Sequence, residues 1–138
     1  PLIGVLNDDV REEADLTGSI KTAILFYPSI LSCIPQLSSE FFEIKPIELP
    51  ILYLVGSKDT LTQACWMDDM LSEIKSSDYP QVIKIYEGAN HAFDVAKRPR
   101  PCRTIKFRGS HELCSEYDEK TFQKSVIDVK NFLSKYAK

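Results

Sequence analysis

The sequence predicts an α/β domain in three layers, a parallel sheet of about three strands flanked by helices. Three observations carry that reading. The runs Thr22–Tyr27 and Pro50–Gly56 are nearly continuous in apolar residues, as strands buried on both faces are. The strand candidates are separated by connections long enough to hold a helix, which implies right-handed crossovers and parallel neighbours. The C-terminal stretch has apolar residues at helical spacing and no strand alternation.

The elements follow in order. Val5 to Leu16 is charged and reads as a short helix, with Asn7 or Asp8 as its cap and Thr17-Gly18-Ser19 as its end. The first strand lies near 21–27 and stops at Pro28. Residues 29–49, with Pro35 and Pro46, read as loop. The second strand lies near 50–56 and runs into Ser57-Lys58-Asp59. A helix near 60–76 follows, with Leu61, Ala64, Met67, Leu71 and Ile74 on one face; Trp66, Met67 and Met70 read as helix packing. The third strand lies near 82–87 and leads to Gly88-Ala89-Asn90-His91-Ala92-Phe93-Asp94, where Phe93 reads as core and Asp94 as a loop cap. Residues 95–117 show no periodicity and read as one long loop. Its Lys97, Arg98, Arg100, Arg103, Lys106 and Arg108 form a solvated basic stretch that could border a binding mouth. The last helix, near 119–136, is capped by Asp118 and carries the stripe Phe122, Val126, Val129, Leu133 and Tyr136.

Composition narrows the function classes. The chain has 138 residues, 43% hydrophobic and 27% charged, which suits one globular domain spanning 1–138. Its net charge of −3 supplies no basic field for nucleic acid or anionic membranes. No apolar run approaches the roughly 18 residues of a membrane span. Pro1-Leu2-Ile3-Gly4 does not open a secretory signal, so a cytoplasmic location is expected. Cys33, Cys65, Cys102 and Cys114 form no Cys-x-x-Cys pair, and reduced cysteines are the expectation. Cys102, His111 and Cys114 match no standard zinc spacing, so no metal or cofactor is expected.

Two residues carry chemistry. Asp59 directly follows the second strand and His91 follows the third, and in parallel sheets functional groups collect at the carboxyl ends of strands. A carboxylate beside an imidazole fixes its tautomer and stabilises its protonated form, so the histidine can act as general base and then acid. Each residue also has a plainer reading. Asp59 could cap the following helix, and His91 could be a loop histidine with a local hydrogen bond. Their matching positions at adjacent strand ends favour the pair.

Three stretches resemble one family. Leu52-Tyr-Leu-Val-Gly-Ser-Lys-Asp59 is similar to an apolar strand, glycine and triad acid. Tyr86-Glu-Gly-Ala-Asn-His-Ala-Phe-Asp94 resembles the histidine signature of dienelactone hydrolases, and Ala23-Ile-Leu-Phe-Tyr-Pro28 resembles a family strand ending in Tyr-Pro. The resemblance covers about residues 20–94 and, more loosely, the last helix. It implies the C-terminal part of an α/β-hydrolase fold, with Asp59 as triad acid and His91 as triad base, in an enzyme whose serine or cysteine nucleophile attacks an ester or lactone.

The chain departs from the family in one respect. A nucleophile elbow needs Gly-x-Ser-x-Gly or Gly-x-Cys-x-Gly, and neither occurs in the 138 residues. Ser19, Ser57 and Ser110 each follow a glycine without the rest of that pattern, and Cys33 lies after the Tyr-Pro strand, where the nucleophile does not belong. The expected unit is therefore incomplete and inactive alone. Its partners would be a small ester or lactone in the complete enzyme, and either an N-terminal half or a second copy pairing with the edge strand 21–27. The rival is a degenerate, non-catalytic module kept for oligomerisation or partner binding. A small flavodoxin-like domain is disfavoured because Pro28-Ser-Ile-Leu is no phosphate loop.

Overall fold

The computed structural model describes residues 20–28, 49–60, 62, 78–96, 100–106 and 110–137. The short helix expected at 5–16 lies outside them, as do nearly all of the loop at 29–49 and of the helix at 60–76 with Trp66, Met67 and Met70. The described elements are β1 (Ala23–Phe26), β2 (Ile51–Gly56), β3 (Gln81–Tyr86), β4 (Arg100–Lys106), β5 (Ser110–Ser115) and α1 (Glu119–Tyr136).

The first three strands form a parallel sheet in the order β1-β2-β3. Its register pairs Ala23 with Ile51 and Ile51 with Gln81. Central β2 is buried along its whole length, which is why it reads as an unbroken apolar run. Successive side chains point to opposite faces, so β2 feeds two cores. Ile51, Tyr53 and Val55 join Leu49 on one face. Leu52 and Leu54 join Tyr86, Ala89, Phe93 and Phe132 on the other. β3 is a partly exposed edge among the described residues, with Ile85 47% exposed.

Helix α1 covers the second core. Asp118 caps it, accepting from the Thr121 amide at 2.6 Å, as expected. Its inward face keeps Val129 and Tyr136 of the expected stripe, which pack against this core, and differs at the other positions. Thr121, Ser125 and Phe132 are buried, whereas Phe122 and Val126 are half-buried and Leu133 is exposed. The helix is turned by about one residue. Small Thr121 and Ser125 face inward, and Ser125 returns its buried hydroxyl to the Phe122 carbonyl at 2.7 Å. Asp128 completes the inward side by accepting from the Tyr86 hydroxyl at 3.0 Å. A hydrophobic stripe could not reveal a face made partly of small polar residues. Among the described residues no helix is long and apolar enough to cross a membrane.

The long loop expected at 95–117 is corrected. It contains an antiparallel hairpin, β4 with β5, interrupted by a register shift between Arg100 and Arg103. Arg100, Arg103 and Lys106 of the basic stretch are strand residues. Arg-Pro-Cys-Arg-Thr-Ile-Lys carries three cations and a proline, so strand alternation was hidden. The expectation of reduced cysteines is corrected too, because Cys114 is disulfide-bonded. The β4 interval that faces Cys114 across the ladder, between Arg100 and Arg103, contains Cys102.

Candidate active site

The carboxyl ends of β2 and β3 are interlocked by backbone contacts. After β2, the Ser57 amide donates to the Tyr86 carbonyl at 3.0 Å and the Lys58 amide to the Ala89 carbonyl at 2.9 Å. In return, the Gly88 amide donates to the Ser57 hydroxyl at 2.8 Å. Gly88 takes φ 78, the left-handed region that glycine enters without a Cβ penalty. Gly56 is required for a different reason. The strand-β3 loop crosses directly over it, and a Cβ there would collide with the Ala89 carbonyl group and lie 3.0 Å from the Asn90 oxygen.

This crossing delivers His91 to Asp59. His91 Nδ1 lies 2.9 Å from Asp59 Oδ2, with the carboxylate side chain fully buried and the imidazole 18% exposed. Thr62 holds the same carboxylate, its amide donating to Oδ1 at 2.8 Å and its hydroxyl to Oδ2 at 2.6 Å. Burial, the largest influence, pushes the Asp59 carboxyl up, but the bonds from His91 and Thr62 together hold it below its ordinary value. An ionised carboxylate only accepts, so neutral His91 carries its proton on Nδ1 and presents the Nε2 lone pair. The plainer reading of Asp59 is partly met, since it caps the turn at Thr62 while also receiving His91, whereas the His91 side-chain bond is long-range and not local.

The hairpin and α1 anchor the histidine loop from below. His91 forms a parallel bridge with Ser115. The Glu116 amide donates to the His91 carbonyl at 3.1 Å, the Asp118 amide to the Phe93 carbonyl at 3.0 Å, and Asn90 Nδ2 to Glu116 Oε2 at 3.0 Å. Phe93 is fully buried, as expected, against Tyr86 at a centroid distance of 5.2 Å. Residues 115–118, mostly within the stretch expected to be loop, thus support the site.

Sequence reasoning missed Thr62, although Asp59-x-x-Thr62 has the spacing of a carboxylate capping an amide three residues on. In the sequence Tyr27 reads only as the end of the first strand, and Asp94 as a loop cap. The two are bonded, the Tyr27 hydroxyl donating to Asp94 Oδ1 at 2.9 Å. Among the described residues no three His, Cys, Asp or Glu side chains converge as a metal-binding group.

Comparison with known proteins places this architecture. A Klebsiella pneumoniae protein described as a candidate dienelactone hydrolase shares the fold with a TM-score of 0.57 at 18% identity; the match covers 84% of this chain and 42% of that one. Thermogutta terrifontis esterase 2, in a structure phosphorylated by paraoxon, aligns with a TM-score of 0.52 at 17% identity, covering 87% of this chain and 42% of that one. The chain therefore spans less than half the length of these structures. No curated protein matches it. The sequence pattern of one family matches residues 11–137, nearly the whole chain. On that match, together with the parallel sheet and the rim built at its carboxyl end, this chain belongs to the dienelactone hydrolase family.

Proposed function

We propose that this chain supplies the acid and the general base of a hydrolase acting on carboxylic esters or lactones. The observation that carries the proposal is the 2.9 Å contact between buried Asp59 and the more accessible His91 at the strand ends. Asp59 holds the Nδ1–H and stabilises the imidazolium once it forms. His91 Nε2 takes the proton of a serine or cysteine as that nucleophile attacks the carbonyl carbon. It then passes the proton to the departing alkoxide, and afterwards deprotonates the water that cleaves the acyl intermediate. No nucleophile elbow occurs in these 138 residues, so the attacking group and the oxyanion donors belong to another segment. The coverage of 42% of the similar structures leaves room for one. β1 ends the sheet among the described residues and is the edge at which a nucleophile-bearing strand would pair.

The test is hydrolysis of p-nitrophenyl acetate by this chain alone, by the chain joined to the segment encoded upstream, and by the joined form with His91→Ala. Activity in the joined form that falls about 10⁴-fold with His91→Ala supports the reading. Absence of activity from a folded joined protein favours a non-catalytic module, the reading suggested by the missing elbow.

A further inference from the structure

Tyr27 closes β1 on the same rim, and its backbone is unusual. It takes φ 36, the left-handed region that side chains with a Cβ avoid, and it precedes Pro28, whose ring favours an extended residue before it. The Tyr27 amide is meanwhile held to the Leu54 carbonyl at 2.7 Å, extending the β1–β2 ladder into this conformation. A strained aromatic residue persists only where its surroundings over-determine it, and such residues gather at functional sites.

The side chain shows what the conformation achieves. The Tyr27 ring lies 4.2 Å from the His91 imidazole, centroid to centroid, tilted by 53°. Its hydroxyl passes on to Asp94 Oδ1 at 2.9 Å, three residues beyond the histidine. The ring also meets Phe93 edge-on, at 6.1 Å and 85°. Asp59 and Tyr27 therefore restrain one imidazole, the first through Nδ1 and the second through ring contact. Burial, then the bond to Asp94, then the charges of Asp94 and Asp59, raise the phenol above its ordinary value, so it remains a donor. Between His91 and Asp94, Ala92 takes φ 59, so the loop held by this tether is itself in the left-handed region.

We infer that Tyr27 is a positioning residue for His91. Its ring keeps the imidazole in the rotamer that meets Asp59, and its hydroxyl ties the histidine loop to β1 through Asp94. The catalytic purpose of that restraint rests on the function proposed above, whereas the restraint itself does not.

The test is ¹⁵N-edited NMR of the histidine side chains in the intact chain, which has two histidines, so His111→Gln identifies the His91 signals. In the unmodified protein, neutral His91 should appear as a single Nδ1–H tautomer. Tyr27→Leu should mix the tautomers and speed exchange of the Nδ1 proton with water about tenfold, as expected for loss of one aromatic contact. Tyr27→Phe keeps the ring and should preserve the tautomer, with faster exchange only from the lost tether, an effect that Asp94→Asn should reproduce. Backbone amide spectra unchanged away from the rim separate this from general loosening. Unaltered tautomer and exchange in folded Tyr27→Leu overturn the proposal. If Tyr27→Leu does not fold, unaltered exchange in both Tyr27→Phe and Asp94→Asn overturns it. Failure of the hydrolysis assay bears on the function alone, because the NMR signals do not depend on turnover.

Discussion

The turn after β2 and the start of α1 use the same local motif and reach different ends. Asp59 accepts from the amide of Thr62 at 2.8 Å, and Asp118 accepts from the amide of Thr121 at 2.6 Å. In both the carboxylate stands three residues before a threonine and satisfies an amide at the start of a turn. Both carboxyls are held below their ordinary values. For exposed Asp118 the chief cause is the bond to Thr121, whereas for Asp59 the favourable bonds must first overcome burial. Asp118 remains a helix cap. Asp59 becomes half of a buried acid–imidazole pair, because the β3 loop crosses Gly56 and brings His91 onto it. Local sequence makes a cap; a second strand end makes a candidate catalytic acid.

The comparison breaks most completely at the crossing. Gly56→Ala places a Cβ against backbone atoms that cannot rotate away. It should cost about 3 kcal/mol, read by urea denaturation, and should erase the His91–Asp59 contact while leaving the Asp118 cap intact. A Gly56→Ala protein as stable as the parent would show that the loop does not lie as described.

The two aspartates should then separate on substitution. Asp59→Ala strands the buried donors of Thr62 and His91 and should cost about 2 kcal/mol. Asp118→Ala loses one exposed cap and should cost about 1 kcal/mol. Equal losses would mean that the His91 contact adds nothing to the cap.

The smallest effect is in acid. Because both carboxyls are lowered on folding, their ionised forms stabilise the native state fully above the unfolded value of about 3.9, and that stability is lost as pH falls through the folded values. Melting temperatures recorded between about pH 7 and pH 2.5 should therefore fall less steeply for Asp59→Asn than for the parent, with a smaller change for Asp118→Asn. High salt should weaken the exposed Asp118 contribution first. An acid limb unchanged in Asp59→Asn would contradict the lowered carboxyl.

Legibility in the sequence followed the period of the signal. β2 was readable because a strand buried on both faces needs no alternation, and Ile51 to Val55 supply an unbroken apolar run. Asp59 and His91 were readable because each lies within a few residues of the carboxyl end of a strand and sits in family wording. The hairpin was not, since its strands are charged and paired in an irregular register. The face of α1 was misjudged by about one residue because Thr121 and Ser125 bury small polar groups that a hydrophobic stripe ignores. The Cys114 disulfide gave no signal, because the four cysteines form no recognisable spacing pattern.

The sequence by itself determined the strand type, the parallel arrangement, the Asp118 cap and the places of Asp59 and His91 after adjacent strands. These depend on residue chemistry and on periods of a few residues. The tertiary structure alone decided that Asp59 receives His91 and that Tyr27 lies against the imidazole with its hydroxyl on Asp94. Those contacts join residues up to 67 positions apart. Their geometry comes from backbone crossings, such as the one over Gly56, that no local pattern encodes.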